Sequence, residues 1–196
     1  GYDDVLPYFK KAESQQRGSD KYHGADGPLP VSDGRHADPL SEAFVVAAAE
    51  TGIPTNPDFN GATQEGAGFF QTTTRRGRRA STAFAYLRPA KSRNNLHVET
   101  SALAQRILFD GRRAKAVEYK QEGRVRTAKA RKEILVSSGA YNSPQLLQLS
   151  GVGPADLLKR HGIEIVLDAP GVGNDLQDHL QVRLVTRCAQ RVTLND

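Results

Sequence analysis

The sequence of 196 residues has little of what marks several common protein classes. It contains one cysteine, Cys188, so no internal disulfide can form, and this favours a reducing, cytoplasmic compartment. No apolar run approaches the roughly 18 residues that a membrane span requires. The sequence therefore predicts a cytoplasmic protein without a transmembrane segment.

Motifs that carry the chemistry of several enzyme classes are also missing. The five histidines and the single cysteine are scattered along the chain, so no metal site is predicted. No Gly-x-Ser-x-Gly segment occurs, which excludes the commonest arrangement of a hydrolase nucleophile. No Gly-x-Gly-x-x-Gly segment follows a strand either, because the pattern begun by Gly151 and Gly153 continues into Asp156.

The excess of positive charge, +5 overall, is clustered. One cluster lies between Arg124 and Lys132 with glutamates nearby, and it is interpreted as a solvated face. For the other cluster, a solvated basic loop and a surface that faces a ligand both remain open; its members are Arg75, Arg76, Arg78 and Arg79. Neither has interleaved aromatic residues on which bases could stack, so no nucleic acid is predicted as a partner.

The first half of the chain predicts helices separated by loops. Residues 3–13 place apolar side chains on one side and lysines near the end, as a helix does. Asp38 and Pro39 open a second helix, which ends before Gly52. The remaining expectations are loops at 15–38 and 61–68, a short strand at 69–73, and a helix at 79–88 capped by Ser81.

The second half begins with β-rich segments between Leu96 and Val136. Asp110-Gly111 and Glu122-Gly123 are turn signals that predict a three-stranded antiparallel meander. A short helix from Pro154 to His161 and a strand from Ile163 to Leu167 are predicted further on.

Between these parts, a buried strand at 134–137 is predicted to lead into a helix. Ser143 is expected to cap that helix, Pro144 to take its first position, and Gly151 to end it in the left-handed conformation. Where a strand passes through a glycine such as Gly139 into a helix, α/β proteins hold phosphates and nucleotides, because free N–H groups and the helix dipole point there. Tight packing of helix on strand is an equally open explanation of Gly139.

The segment from Gly139 to Gly153 contains Gly-Ala, Ser-Pro, Leu-Leu and Ser-Gly-Val-Gly at fixed spacing. It resembles the second signature of the glucose-methanol-choline flavoprotein oxidoreductases. The similarity continues from Pro170 to His179, where Asn174 and Asp175 stand in place of a variable residue and Asn. Upstream segments resemble successive blocks of the choline-oxidising branch; they are Asp4–Phe9, Tyr22–Pro28 and Gly77–Thr82.

This resemblance implies an α/β fold of mixed α+β character. Residues 1–88 would be part of a substrate-binding domain, 89–180 the second half of an FAD-binding domain with its antiparallel meander, and 181–196 the start of a return to the substrate domain. Because the chain has no methionine and lacks both the Gly-rich FAD motif and the family's C-terminal catalytic histidine, it is expected to be an internal piece of a longer enzyme.

The function that the resemblance implies is oxidation of a primary alcohol, with choline the leading candidate, by hydride transfer to FAD. The expected partners are a small-molecule alcohol and the remainder of the same enzyme. A non-catalytic nucleotide-binding or interaction module is the alternative.

The resemblance also implies which residues contact FAD. The expected cofactor-binding residues are Ala104, through its backbone, and Ser138, Gly139, Ala140, Asn174, Asp175, Leu176 and Gln177. No residue of the chain is predicted to be catalytic. His179 lies beside Asp178, as a general base would, but the resemblance implies a wall residue near the flavin instead.

Overall fold

The computed structural model describes residues 1–35, 37–185 and 187, so Cys188 lies outside the described residues. The chain forms two compact units, of which the first includes Gly1–His97 and the second is Val98–Leu184. Helices and small sheets occur in both, which confirms the predicted mixed α/β class. The predicted division into parts of a substrate-binding and an FAD-binding domain stays a prediction.

The first unit consists of short elements joined by long irregular segments. A parallel pair of strands, β1 and β2, and an antiparallel pair, β3 and β4, are its two sheets. In chain order the elements are α1 (Tyr2–Ala12), β1 (Glu13–Gln15), β2 (Leu29–Val31), α2 (Pro39–Glu50), β3 (Thr74–Arg75), β4 (Arg78–Arg79), a π-helical turn (Ala83–Leu87) and α3 (Arg88–Ala90).

Both predicted N-terminal helices form where their local signals lie. The side chain of Asp38 accepts a hydrogen bond from the backbone N–H of Leu40 at 2.8 Å, which caps α2 directly before Pro39. In α1, acidic residues occupy the first turn and Lys10 and Lys11 the last, so both ends match the helix dipole.

Three expectations for this unit are wrong in detail. The predicted loop at 15–38 contains β2, and the predicted strand at 69–73 forms only an isolated bridge between Thr72 and Ser32 before β3 begins. The helix at 79–88 is replaced by the π-helical turn and α3. The side chain of Ser81 does not cap it; instead the Ser81 carbonyl accepts the N–H groups of Phe84 and Ala85.

The second unit begins with a regular sheet and continues through helices. Its elements are β5 (Ala102–Asp110), β6 (Arg113–Gln121), β7 (Arg124–Lys129), α4 (Gly139–Leu149), β8 (Val152–Gly153), α5 (Ala155–Arg160) and β9 (Leu167–Asp168). Strands β5, β6 and β7 pair in that order as the predicted antiparallel meander. At the β6–β7 turn Glu122 and Gly123 both have positive φ, as a tight hairpin requires.

The segment before α4 differs from the prediction. Residues 134–137 pair with no strand among the described residues, and Leu135 is 81% exposed, so this is not a buried strand. Helix α4 begins at Gly139 rather than at Ser143, and Pro144 lies inside it. The predicted strand at 163–167 is likewise short, because pairing with β8 begins only at Leu167.

Candidate functional site

The start of α4 is an open helix end. The N–H of Ser138 donates to the hydroxyl of Ser143 at 3.0 Å, so Ser143 binds the helix entry from within the helix rather than from its cap position. The N–H groups of Gly139, Ala140 and Tyr141 precede the first intrahelical donor and have no acceptor among the described residues. No acidic residue occupies this first turn. These donors and the positive end of the helix dipole are therefore available to a ligand.

Gly139 adds free space to this helix end. Its φ is +87°, a conformation that L side chains rarely adopt, and an added Cβ would meet no atom within 4 Å. Among the described residues, tight packing of the helix on a strand therefore does not explain this glycine. The backbone conformation accounts for the glycine, and the missing side chain leaves room for a group to approach the amides.

The far end of α4 is fixed to the edge strand of the meander. Ser150 is 6% exposed, and its hydroxyl accepts the N–H of Ile107 in β5 at 2.8 Å while donating to the Leu146 carbonyl. Gly151 follows with φ +86° and ends the helix as predicted. Its carbonyl accepts the N–H groups of Val166 and Leu167 at 2.8 and 3.1 Å. The helix thereby joins β5 to the β8–β9 pair.

Ala104 lies in β5, three residues before Ile107. It is exposed and pairs with Tyr119 of β6, and a bulge follows it. Because β5 is an edge strand, its other side has no strand partner among the described residues. The backbone edge through which Ala104 is predicted to recognise a cofactor is therefore open.

The predicted segment 174–177 lies on the surface after a turn at 170–173. Asn174 is tied back to this turn by its side chain, which donates to the Pro170 carbonyl, and by its N–H, which donates to Gly171 at 3.3 Å. Asp175 has φ +55°, a left-handed conformation that Asn and Asp tolerate better than most residues. Leu176 is 57% exposed.

The three predicted segments are connected through α4 rather than to one another. No hydrogen bond within the described ranges joins Ala104, residues 138–140 and residues 174–177 directly. Helix α4 begins in one of these segments, contacts β5 through Ser150, and reaches the 170–173 turn through Gln148, whose side chain donates to the Val172 carbonyl at 2.9 Å. The sequence did not single out Gln148 or Ser150, although both lie inside the recognised signature.

His179 is exposed, and its neighbour Asp178 does not orient the imidazole. The Asp178 carboxylate accepts the backbone N–H of His179 at 2.8 Å instead. No base with an orienting carboxylate is thus formed here, and a wall position for His179 stays a prediction.

Another histidine, His23, is the centre of a buried polar cluster in the first unit. It is 4% exposed, its Nδ1 lies 3.0 Å from Glu13 Oε2, and its Nε2 lies 2.9 Å from Asp58 Oδ2. Burial disfavours the charged imidazolium, but hydrogen bonds to Glu13 and Asp58 and their charges outweigh it, so the pKa of His23 is raised. Neither partner is close to His23 in the sequence, since Glu13 is 10 residues away and Asp58 is 35 residues away.

Comparison with known proteins identifies a family and relatives of the chain. The profile of the GMC oxidoreductase family matches residues 1–181. Over 195 residues the chain is 53% identical to the oxygen-dependent choline dehydrogenase of Burkholderia vietnamiensis, covering 98% of this chain and 34% of that protein. Over 194 residues it is 48% identical to the mitochondrial choline dehydrogenase of Homo sapiens, covering 99% and 33%.

A solved structure has the same arrangement of elements. The FAD-dependent oxidoreductase from Chaetomium thermophilum superposes with a TM-score of 0.84 at 30% identity, over 90% of this chain and 33% of that one. The chain belongs to the GMC oxidoreductase family. It spans about a third of the length of the curated relatives it matches. Among the described residues no helix combines the length and the apolarity needed to cross a membrane.

Proposed function

We propose that the intact protein is an FAD-dependent oxidoreductase that oxidises a primary alcohol, with choline as the leading substrate. The observation that supports this most strongly is identity of 48–53% to proteins named choline dehydrogenase over almost all of this chain. Enzymes that share half of their residues over a long segment generally share the chemistry of that segment. The remaining two thirds of such a protein would supply the rest of the site.

The described residues fit a role in holding the cofactor. The open N–H groups at the start of α4 and the unfilled space at Gly139 suit a ligand that presents hydrogen-bond acceptors, as the adenosine part of FAD does. The open edge of β5 at Ala104 suits a planar base with a donor and an acceptor on one side. When bound, FAD supplies the ring system that accepts the electrons of the alcohol.

In this proposal the chain's own residues bind and orient rather than transfer protons. The backbone of Ala104 and of residues 138–140 would hold the adenosine end, and the segment Asn174–Gln177 would cover a neighbouring part of the cofactor. No residue among them is proposed as a general base. A cytoplasmic location stays a prediction, and the human relative is named mitochondrial.

The test uses the purified full-length protein with its bound flavin, in the absence of oxygen. Choline should bleach the absorbance of the oxidised flavin, because its carbinol carbon can give up a hydride. A tertiary alcohol of similar size and charge should not, because it has no hydrogen on that carbon. A protein that binds FAD but is bleached by no primary alcohol would support the alternative, a nucleotide-binding or interaction module, and would contradict the enzyme.

A second measurement addresses the site. Gly139→Ala adds one methyl group to the open space before the α4 amides, so we expect a lower FAD content while the protein remains folded. Full flavin occupancy in the folded variant would remove residues 138–140 from the proposed site.

A further inference from the structure

Gln148 fits its place only because two of its neighbours are glycines. Its Cγ lies 2.9 Å from where a Cβ on Gly153 would be, and its Nε2 lies 2.6 Å from where a Cβ on Gly173 would be. Real Cβ atoms do not approach other atoms this closely, so any side chain at either position would displace the amide. The backbone on both sides of Gln148 is thus shaped to receive this side chain.

The half-buried Gln148 amide makes a directed contact from this position. It donates to the carbonyl of Val172 at 2.9 Å. The N–H of Ala169 is paired with the Gly153 carbonyl. For the residues that follow, 170–177, the Gln148 hydrogen bond is the one that links them to another part of the chain among the described residues. All others on that stretch are local, such as those of Asn174 to its own turn.

The end of α4 that carries Gln148 is itself held in place by hydrogen bonds. Two residues later Ser150 is bound to β5, and Gly151 is bound to the segment that enters β9. A Cβ on Gly151 would overlap the Glu164 carbonyl, so this attachment is as close as backbone packing permits. The end of α4 therefore cannot shift without moving the meander edge and β9.

We infer that Gln148 is a positioning residue that sets where the segment Asn174–Gln177 stands relative to the cofactor. This rests on the proposed function, because it assumes that FAD is bound at that segment. The Val172 carbonyl lies two residues before Asn174, and the turn between them is held by its own hydrogen bonds. A shift at Val172 is consequently transmitted to the start of the cofactor segment.

The test compares variants of the full-length protein by three readouts. Gln148→Met keeps the length and packing of the side chain but removes the donor, and Gly153→Ala pushes on the same side chain at Cγ from a position that has no positive φ. Gln145→Met is the control, because Gln145 lies on an exposed face of α4. The readouts are the dissociation constant of FAD for the apoprotein, hydrogen exchange of residues 170–177, and the melting temperature of the apoprotein.

We expect Gln148→Met to raise the FAD dissociation constant by about tenfold and to speed exchange at 170–177. Its apoprotein should melt close to the parent, and Gln145→Met should change none of the three. Gly153→Ala should have the same effects as Gln148→Met on affinity and exchange, so the result does not depend on one variant folding well.

Parent-like FAD affinity in folded Gln148→Met overturns the inference and leaves the proposed function standing. A fall in melting temperature with unchanged exchange at 170–177 also overturns it, because Gln148 would then act on general stability. A parent protein that binds no FAD at all is a different outcome, since it refutes the proposed function on which the inference rests.

Discussion

The two units of the chain bury different kinds of side chain. In the first, the most buried residues include His23, Gln15 and Asn56 at 4–6% exposure, and the apolar side chains buried among its described residues are those of Ala48, Ala80 and Ala85. In the second, Leu158, Ile107 and Leu146 are buried, and Ser150 is the one buried polar residue among those described. The first unit is organised around hydrogen bonds, the second around aliphatic packing and a sheet.

The hydrogen bonds of the first unit connect distant parts of its sequence. Gln15 and Gln71 donate to each other's carbonyl oxygens at 3.0 and 3.1 Å, and Gln71 also donates to Asp33 at 2.8 Å. Arg17 binds the same carboxylate, and these two hydrogen bonds, with Arg17 contributing more, hold the pKa of Asp33 below its usual value. Such a network fixes long irregular segments that have few backbone partners.

In the second unit, helix α4, β8 and β9 meet at glycines, where added side chains would collide with Glu164, Val166 or Gln148. The first unit has such close backbone contacts as well, since a Cβ on Gly24 or Gly68 would overlap the carbonyl of Lys10 or of Asn56. Both units are therefore expected to be sensitive to added volume at these glycines, and the first unit also to loss of polar groups.

The largest expected effect is in the first unit. His23→Phe keeps a ring of similar size but leaves Glu13 and Asp58 facing an apolar group, so we expect a loss of about 3–5 kcal/mol. The matched control is His97→Phe, since His97 is exposed in the same unit and should change stability by at most about 0.5 kcal/mol. Denaturant unfolding of the full-length protein, with hydrogen exchange to locate the effect, measures both. Equal losses of stability in His23→Phe and His97→Phe would mean that the His23 cluster stabilises the fold no more than an exposed histidine does.

The next effect belongs to the second unit. Gly151→Ala places a methyl group against the Glu164 carbonyl and Val166 in a left-handed conformation, for which we expect a cost of about 3 kcal/mol. Gly139→Ala has the same φ but no neighbour within 4 Å, so it should lose only about 1 kcal/mol. If the two variants are equally stable, backbone conformation alone matters and close packing at β9 does not.

A third effect is the pH dependence of the His23 cluster. Because the pKa of His23 is raised in the folded protein, its stabilisation is fully present below the ordinary value of 6.5 and is lost as pH rises through the folded-state value. The difference in melting temperature between the parent and His23→Phe should therefore be larger at pH 6 than at pH 9. Other histidines are the same in both proteins and cancel. A difference that grows with pH would mean that His23 is neutral when folded.

Sequence reasoning located elements whose signals are local. Helix α2 was predictable because its cap Asp38 and its first residue Pro39 are adjacent, and the meander because each turn is a two-residue signal. The strand at 134–137 was not, because an apolar run predicts an extended segment but does not say whether another strand lies beside it. The same limit applies to 163–167, where pairing depends on β8.

The candidate site was predictable in part for a similar reason. A helix after Gly139 follows from glycine, serine and proline spaced within one signature, but the predicted start at Pro144 was wrong, because the helix begins at Gly139. The hydrogen bonds that fix this helix could not be predicted, because Ser150 and Ile107 are 43 residues apart and Gln148 and Val172 are 24 apart. His23 and Asp58 are 35 residues apart, and nothing in either local sequence points to the other.

The smallest expected effect concerns exposed charges in the first unit. It tests whether they contribute to stability as the charged groups of the His23 cluster do. Arg75 and Arg78 are directly opposite each other across the β3–β4 hairpin, an arrangement that like charges disfavour. Arg78→Glu turns this into an opposite-charge pair, so we expect a gain of about 0.5 kcal/mol that fades at high salt. Arg78→Gln removes the repulsion without adding attraction and should fall between. A loss of stability in Arg78→Glu would instead mean that the hairpin faces an acidic surface in the intact protein. The Arg78 side chain would then contact that surface and would not be part of a solvated loop.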